Sequence, residues 1–401
     1  MRMLTKHLMA SFVLCLFFTM IQQADAMPNF ARKYNMGCSG CHNGVPRLNE
    51  FGFRFRAAGF RTPDEIGKAE TSTNVGDYIA ARTQIRADWK QTENPGGSVT
   101  TNSKQLTFHE VTFYPITGAF AKNYASLVEM SFLPDEAAEI ENAYVRYDNG
   151  DEQSFFSARA GVMHPFEGYG ASDRPLSLSR PLFQTSKAAS SLFKPWGYDE
   201  VGLEVGYDMG TTSFRGTIFN GITDAGEPAQ GSGWSKIAGG PSYNNKDIQL
   251  FVAHRLTDNG GGLSGYFYGG TVDQTINLQN IYQRYALYAS YPAEKALFLG
   301  GFQYGKDKFY GNGAADVSSS GLFGEADYNA TELLWLGARF DWFDPSTDVN
   351  DNEMQAVTAF ANYSFENGLQ FIGEYQYKDS KKGAPGSQKD NALQLRMIFI
   401  Y

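Results

Sequence analysis

From about residue 77 the chain alternates polar and apolar positions with a period of two. Tyr78, Ala80, Arg82, Gln84, Arg86 and Asp88 interleave with Ile79, Ala81, Thr83, Ile85, Ala87 and Trp89. One face of such a strand carries charge and the other ends in an aromatic ring. The pattern returns along the chain. Glu129 lies between Val128 and Met130, Arg146 between Val145 and Tyr147, and Arg159 between Ala158 and Ala160. Glu204 lies between Leu203 and Val205, and Arg284 beside Tyr285 and Leu287. Arg339 and Asp341 alternate with Ala338, Phe340 and Trp342, and Glu374 with Gly373 and Tyr375. A charge at every second residue does not fit the dry core of a β-sandwich. It fits a barrel with a wet lumen and a lipid-facing exterior.

Sixteen segments carry this signal: 78–90, 104–115, 119–133, 138–148, 153–163, 198–209, 212–222, 246–257, 262–273, 281–292, 295–306, 319–330, 333–344, 354–366, 369–379 and 390–401. Their connections alternate in length. Short turns fall at 116–118, 149–152, 210–211, 258–261, 293–294, 330–332 and 367–368. Longer polar connections fall at 91–103, 164–197, 223–245, 274–280, 307–318, 345–353 and 380–389, with 134–137 the one short exception. The expectation is an all-β, sixteen-stranded antiparallel outer-membrane β-barrel, with short periplasmic turns and both termini periplasmic. The longest connection, 164–197, holds Pro165, Pro175, Pro181 and Pro195. It resembles the third loop of general porins, which folds inward and narrows the pore. The last strand ends with Leu393, Leu395, Met397, Phe399 and Tyr401 on one face. This resembles the terminal aromatic signal read by the bacterial barrel-assembly machinery.

Composition agrees. The 401 residues are 15% aromatic and only 19% charged, with 43 glycines, unlike a helical bundle or a disordered chain. No long apolar run follows residue 21, which excludes a helical membrane protein. A pI near 5.2 argues against nucleic-acid binding. The mean hydropathy of −0.37 is what a charged lumen and polar loops produce in a barrel.

The first 26 residues read as a signal peptide. Arg2 and Lys6 precede an apolar run from Leu8 to Ile21, and Ala24-Asp25-Ala26 is a cleavage site. A chain starting at Met27 keeps two of the three cysteines and carries a net charge of 32 − 42 = −10. The expected division is a signal peptide at 1–26, a small domain of helices and loops at 27–76, and the barrel at 77–401.

Both remaining cysteines lie in Cys38-Ser39-Gly40-Cys41-His42, the C-x-x-C-H pattern of covalent haem attachment. Two thiols add to the two haem vinyl groups, and the intervening pair lets one turn of chain reach both. The adjacent His42 is the expected axial ligand of the haem iron. A structural disulfide would leave His42 without a reason. A zinc site would need a second ligand pair, and a thioredoxin-like pair would need a βαβ setting. Pro46 opens a helix over Leu48–Phe60 in which Leu48, Phe51 and Phe55 share a face able to cover the porphyrin, and Gly59 ends it. Arg47, Arg54, Arg56 and Arg61 are candidates to neutralise propionates or to meet acidic barrel residues.

The stretch Met27-Pro28-Asn29-Phe30-Ala31-Arg32-Lys33-Tyr34, the motif Cys38–His42, Pro46-Arg47-Leu48-Asn49, Phe51-Gly52 and Gly59-Phe60 together carry a family resemblance. They resemble the fused cytochrome–porins of the outer membrane, best known from bacteria that oxidise extracellular ferrous iron. That family joins a very small mono-haem cytochrome to a sixteen-stranded porin. The specific resemblance covers about residues 27–61; the barrel matches by pattern and size, and also looks like phosphate-selective porins. The resemblance implies one covalent haem c, thioether bonds at Cys38 and Cys41, and His42 as ligand. It assigns no distal ligand.

For the sixth coordination position the sequence offers His164, Met36 and His109. His164 begins the long inward connection and is favoured. His109 faces outward if Glu110 faces the lumen, unless a bulge intervenes. His254 shares a face with Ile248, Leu250 and Val252 and should point to lipid. Acidic loop residues Asp344, Asp348, Asp351 and Glu353 could concentrate cations, though solvated carboxylates are the plainer reading.

The expected function is electron transfer across the bacterial outer membrane, with Fe(II) outside as donor and Fe(II) oxidase activity as its enzymatic form. A periplasmic soluble cytochrome c or copper protein would take the electron. The alternatives are a diffusion porin whose cytochrome is a plug or anchor, electron export in a metal reducer, and catalysis at an open haem site.

Overall fold

The charged residues at alternating positions turn inward. Glu204 is 1% exposed, while its neighbours Leu203 and Val205 are 56% and 49% exposed. Arg146, Arg159, Arg284, Arg339, Asp341 and Glu374 are likewise buried, and Val145, Tyr285, Leu287, Phe340 and Tyr375 are exposed on the other face. In the computed structural model these strands close into one antiparallel barrel. The structure describes residues 28–68, 74–134, 138–168, 170–171, 174–193, 199–222, 246–275, 278–310, 315–365, 368–381 and 388–401. The expected signal peptide lies outside the described residues.

The barrel strands are β1 (Ala80–Glu93), β2 (Val99–Ala121), β3 (Tyr124–Phe132), β4 (Glu139–Gly150), β5 (Ser154–Met163), β8 (Glu200–Met209), β9 (Thr212–Phe219) and β10 (Asp247–Arg255). They continue through β11 (Gly262–Thr275), β12 (Leu278–Pro292), β13 (Ala296–Tyr310), β14 (Val317–Thr331), β15 (Leu334–Asp344), β16 (Met354–Ser364), β17 (Leu369–Ser380) and β18 (Lys389–Ile400). Two short strands, β6 (Phe166–Glu167) and β7 (Gly170–Ala171), pair with each other apart from the barrel. β1 closes on β18, with Arg82 opposite Ile400 and Glu93 opposite Lys389. Closure leaves no free edge, as lipid requires.

All sixteen expected strands are present; most ends move by up to four residues, and the larger shifts lie around β2. The turn placed at 116–118 is not a turn: β2 runs on to Ala121 and reverses at Lys122-Asn123. Pro115 falls where the β2–β3 register slips between Phe113 and Ile116, so its missing N–H breaks no regular ladder. The connection placed at 91–103 shrinks to residues 94–98, because β1 and β2 keep pairing through mostly polar residues.

The chain before β1 fills the short-turn end of the barrel. It holds helices α1 (Pro28–Tyr34), α2 (Cys38–Cys41) and α3 (Glu50–Ala57). Hydrogen bonds tie it to strands all round the wall. Asn29 Nδ2 donates to the Thr117 carbonyl at 3.1 Å. Arg61 donates to the carbonyls of Ala121 (2.8 Å) and Tyr124 (3.0 Å) and to the Asp148 carboxylate (3.1 Å). Glu50 pairs with Arg255. Arg47 donates to Ser290 Oγ at 3.3 Å. Across the barrel, Asn362 and Gln370 donate to the Val45 carbonyl at 2.7 and 2.5 Å. Apolar packing completes the plug: the Phe30 ring lies 4.9 Å from Phe55 and 5.2 Å from Phe60.

The long connection after β5 also enters the lumen, as its likeness to an inward-folding third loop implied. Wall carboxylates receive its backbone amides. Glu325 accepts from Leu176 N (3.0 Å), Glu374 from Leu178 N (2.6 Å) and Asp341 from Leu182 N (3.2 Å). The last begins helix α4 (Leu182–Thr185). Arg339 donates to the Ser179 carbonyl (2.7 Å) and Oγ (2.9 Å) while paired with Asp341 (2.9 Å). Farther along, the Phe193 ring stacks between Tyr268 and Tyr282, at 4.8 and 4.6 Å. Wall, loop and plug are therefore one packed unit.

Arg339 is the wall residue with most of its bonds in this loop. Replacing it with alanine leaves Glu325 and Asp341 buried without their cation, a loss of about 3–5 kcal/mol at the site. The expected outcome for Arg339→Ala is a loosened loop and a larger, noisier single-channel conductance than wild type in planar bilayers. Unchanged conductance would show that the loop does not depend on this residue.

Candidate functional site

The C-x-x-C-H segment folds as a single helical turn, α2, with the His42 amide donating to the Cys38 carbonyl at 3.0 Å. One turn brings residues three apart to the same side. Asn49 locks this turn to α3. Its side chain accepts from Gly52 N at 2.9 Å, capping the helix, and donates to the Ser39 and Gly40 carbonyls at 3.1 Å each. Gly52 is required here, because a Cβ would collide with the Cys41 carbonyl. The helix expected over 48–60 is shorter, spanning Glu50–Ala57. Leu48 precedes the cap and bridges back to His42 instead. Gly59 ends the segment as expected, at φ +67°, where a Cβ would also collide with Asp148.

Cys38, Cys41 and His42 open on one cavity of about 410 Å³ between the plug and the barrel wall. That lies within the ~300–1,000 Å³ range of small-molecule and cofactor sites. Phe30, Leu48, Phe55 and Phe60 line it from the plug, and Leu127, Leu369 and Ile400 from the barrel. Four guanidinium groups, from Arg56, Arg82, Arg174 and Arg180, reach the same space. Glu129, Glu141 and Asp199 are the carboxylates on its lining. Of these, Glu129 is engaged by Tyr114 (2.8 Å) and Asn142 (2.8 Å).

The ionisation of the motif suits a ligand site. Burial pushes the His42 imidazole down to about 4, against the opposing pull of the Pro46 and Arg47 carbonyls. The ring is therefore neutral at neutral pH, the form that binds metal. Its Nδ1 is buried with no hydrogen-bond partner among the described residues. A buried polar atom of this kind calls for a ligand or a bound group. Burial pushes the Cys41 thiol up to about 11, the opposite of the thiolate a redox-active pair uses. Cys38 and Cys41 are not joined in a disulfide.

Of the three distal candidates, only His164 lines the cavity. Met36 packs on the motif itself, with Sδ 3.9 Å from Cys41 Sγ. His109 is the bulged residue of β2, where the register shifts from Gln84–Glu110 to Ile85–Phe108. The bulge left open by the sequence therefore exists, but His109 is not on the cavity wall. His254 is exposed on β10, with Nδ1 2.8 Å from Thr212 Oγ1. Among the arginines near the motif, Arg61 meets Asp148, Arg54 meets the Glu152 carbonyl at 3.4 Å, and Arg56 lines the cavity. The sequence did not single out Asp199, Arg82, Arg174 or Arg180. They lie far from the motif in sequence, and only barrel closure and the inward loop bring them to it.

No family model matches the chain. No curated protein matches it either. Solved structures do. The chain is similar to OmpT, an outer-membrane protein of Vibrio cholerae described in its trimer form, at TM-score 0.54 and 12% identity, covering 80% of this chain and 99% of that one. It is similar to the outer-membrane channel DcaP of Acinetobacter baumannii at TM-score 0.55 and 12% identity, covering 80% and 97%. It is similar to Salmonella typhi OmpF at TM-score 0.53 and 11% identity, covering 84% and 99%. At these identities the likeness is one of fold: the chain has the closed, sixteen-stranded β-barrel fold of outer-membrane porins.

Proposed function

We propose that this chain is an outer-membrane electron conduit, a mono-haem cytochrome c fused to a porin-type barrel, that accepts electrons from extracellular Fe(II) and passes them to a periplasmic carrier. The observation that carries the reading is the opening of both motif thiols and His42 on one cavity at the plugged end of a barrel. When bound, the haem iron supplies a one-electron couple. Cys38 and Cys41 would hold the group as thioethers and His42 would ligate the iron. Phe30, Phe55 and Phe60 exclude water from that space. Arg56, Arg82, Arg174 and Arg180 offer positive charge to the two propionates.

The barrel supplies what a small cytochrome lacks. A single haem does not span a hydrocarbon core of ~30 Å. Seating the group inside the wall brings it toward both aqueous faces. In this reading the short-turn end, where the plug and Tyr401 lie, is periplasmic. The luminal loop then links the cavity to the outer face, where the donor arrives. The filled lumen favours a conduit over a diffusion pore.

Three measurements test the reading. Haem staining of a denaturing gel should mark the wild-type chain and not Cys38→Ala; an unstained wild type overturns the proposal. Mixing the purified, oxidised protein with Fe(II) should produce the reduced-haem spectrum, and single-channel conductance should be far below that of an open sixteen-stranded porin. A stained protein that conducts like an open porin and ignores Fe(II) would instead support diffusion, with the cytochrome as an anchor.

A further inference from the structure

We propose that His164 is the second axial ligand of the group attached at Cys38, Cys41 and His42, and that Asp199 sets which of its ring nitrogens faces the iron. The proposal rests on the haem reading above and deepens it. His164 lines the same cavity as His42. Its position follows from the sheet register at the end of β5. Met163, the last residue of β5, pairs with Glu200, the first of β8. His164 and Asp199 are the next residues beyond that pair, one just past the end of β5 and one just before the start of β8. They face each other, with His164 Nδ1 3.0 Å from Asp199 Oδ1. His164 is 8% exposed.

This contact has a chemical consequence. A carboxylate beside Nδ1 keeps the proton there, so Nε2 carries the lone pair that binds a metal. The same contact holds the ring in one orientation and raises its basicity. The two residues are also the two feet of the luminal loop, since the chain leaves β5 at one and enters β8 at the other. The iron site is thereby coupled to the segment that fills the lumen. With His42 and His164 both as ligands, the iron would be six-coordinate and low-spin, which would suit electron transfer and leave no open position for oxygen.

The test compares purified wild type, His164→Ala and Asp199→Asn, each checked for a folded barrel by heat-modifiable gel migration. Haem content is read by staining, and spin state by absorbance and electron paramagnetic resonance. Wild type should be low-spin. His164→Ala should keep its stain, become high-spin, bind carbon monoxide when reduced and return to low-spin with added imidazole. Asp199→Asn should stay low-spin with a raised reduction potential. A stained His164→Ala that remains low-spin without imidazole overturns this proposal alone, whereas an unstained wild type overturns the haem reading and this proposal with it. Should His164→Ala fail to assemble, His164→Met gives the same decision. A thioether ligand raises the potential, and an unchanged potential means this position does not ligate.

Discussion

Lipid offers no hydrogen bonds, and the rest of this structure follows from that. Every backbone N–H and C=O within the hydrocarbon must pair inside the chain, so the sheet has to close on itself. Closure of β1 on β18 turns one face of each strand to lipid and the other inward. The inward face then has to solvate its own charges. It does so with pairs such as Arg159–Glu204, joined by two bonds of 2.8 and 2.7 Å, and Arg284–Asp307 at 2.9 Å. Isolated buried charges are costly, and paired ones with satisfied lone pairs are tolerated.

The same luminal charges hold the two segments that fill the barrel. Asp148 receives the plug's Arg61, and Arg255 receives Glu50. Glu325, Asp341 and Glu374 receive backbone amides of the luminal loop. A porin of open lumen would leave such groups to water. Here they cap the polar ends of chain segments that have little regular structure of their own. The cavity is what remains between plug, loop and wall. Its lining combines aromatic rings from the plug with guanidinium groups from β1, the loop and α3.

Much of this was legible in the sequence because a strand's side-chain period is two, and a membrane barrel makes that period extreme. Glu204 flanked by Leu203 and Val205 needs no tertiary information to be read as lumen beside lipid. The C-x-x-C-H motif was equally local, since its chemistry requires adjacency along the chain. Turn placement at 116–118 misled for a local reason: Pro115 and Gly118 are turn formers, but Pro115 sits at a register slip within β2 and Gly118 pairs with Ser126 inside the strand. Polar residues 100–103 suggested loop, yet these strands keep pairing where they stand in water and hydropathy no longer marks them. 

The sequence by itself determined the strand count, the inward and outward faces, and the motif that opens the cavity. It favoured His164 over Met36 and His109 from loop position alone, but could not show which of them shares a wall with the motif, because a cavity is a relation among residues distant along the chain. Only the tertiary structure decided the register of β5 on β8, and hence that His164 meets Asp199. Only the tertiary structure decided that the plug lies at the short-turn end, tied from Thr117 on β2 to Gln370 on β17. Periodicity tells each strand which way to face; closure and register determine which strands, and which side chains, face one another.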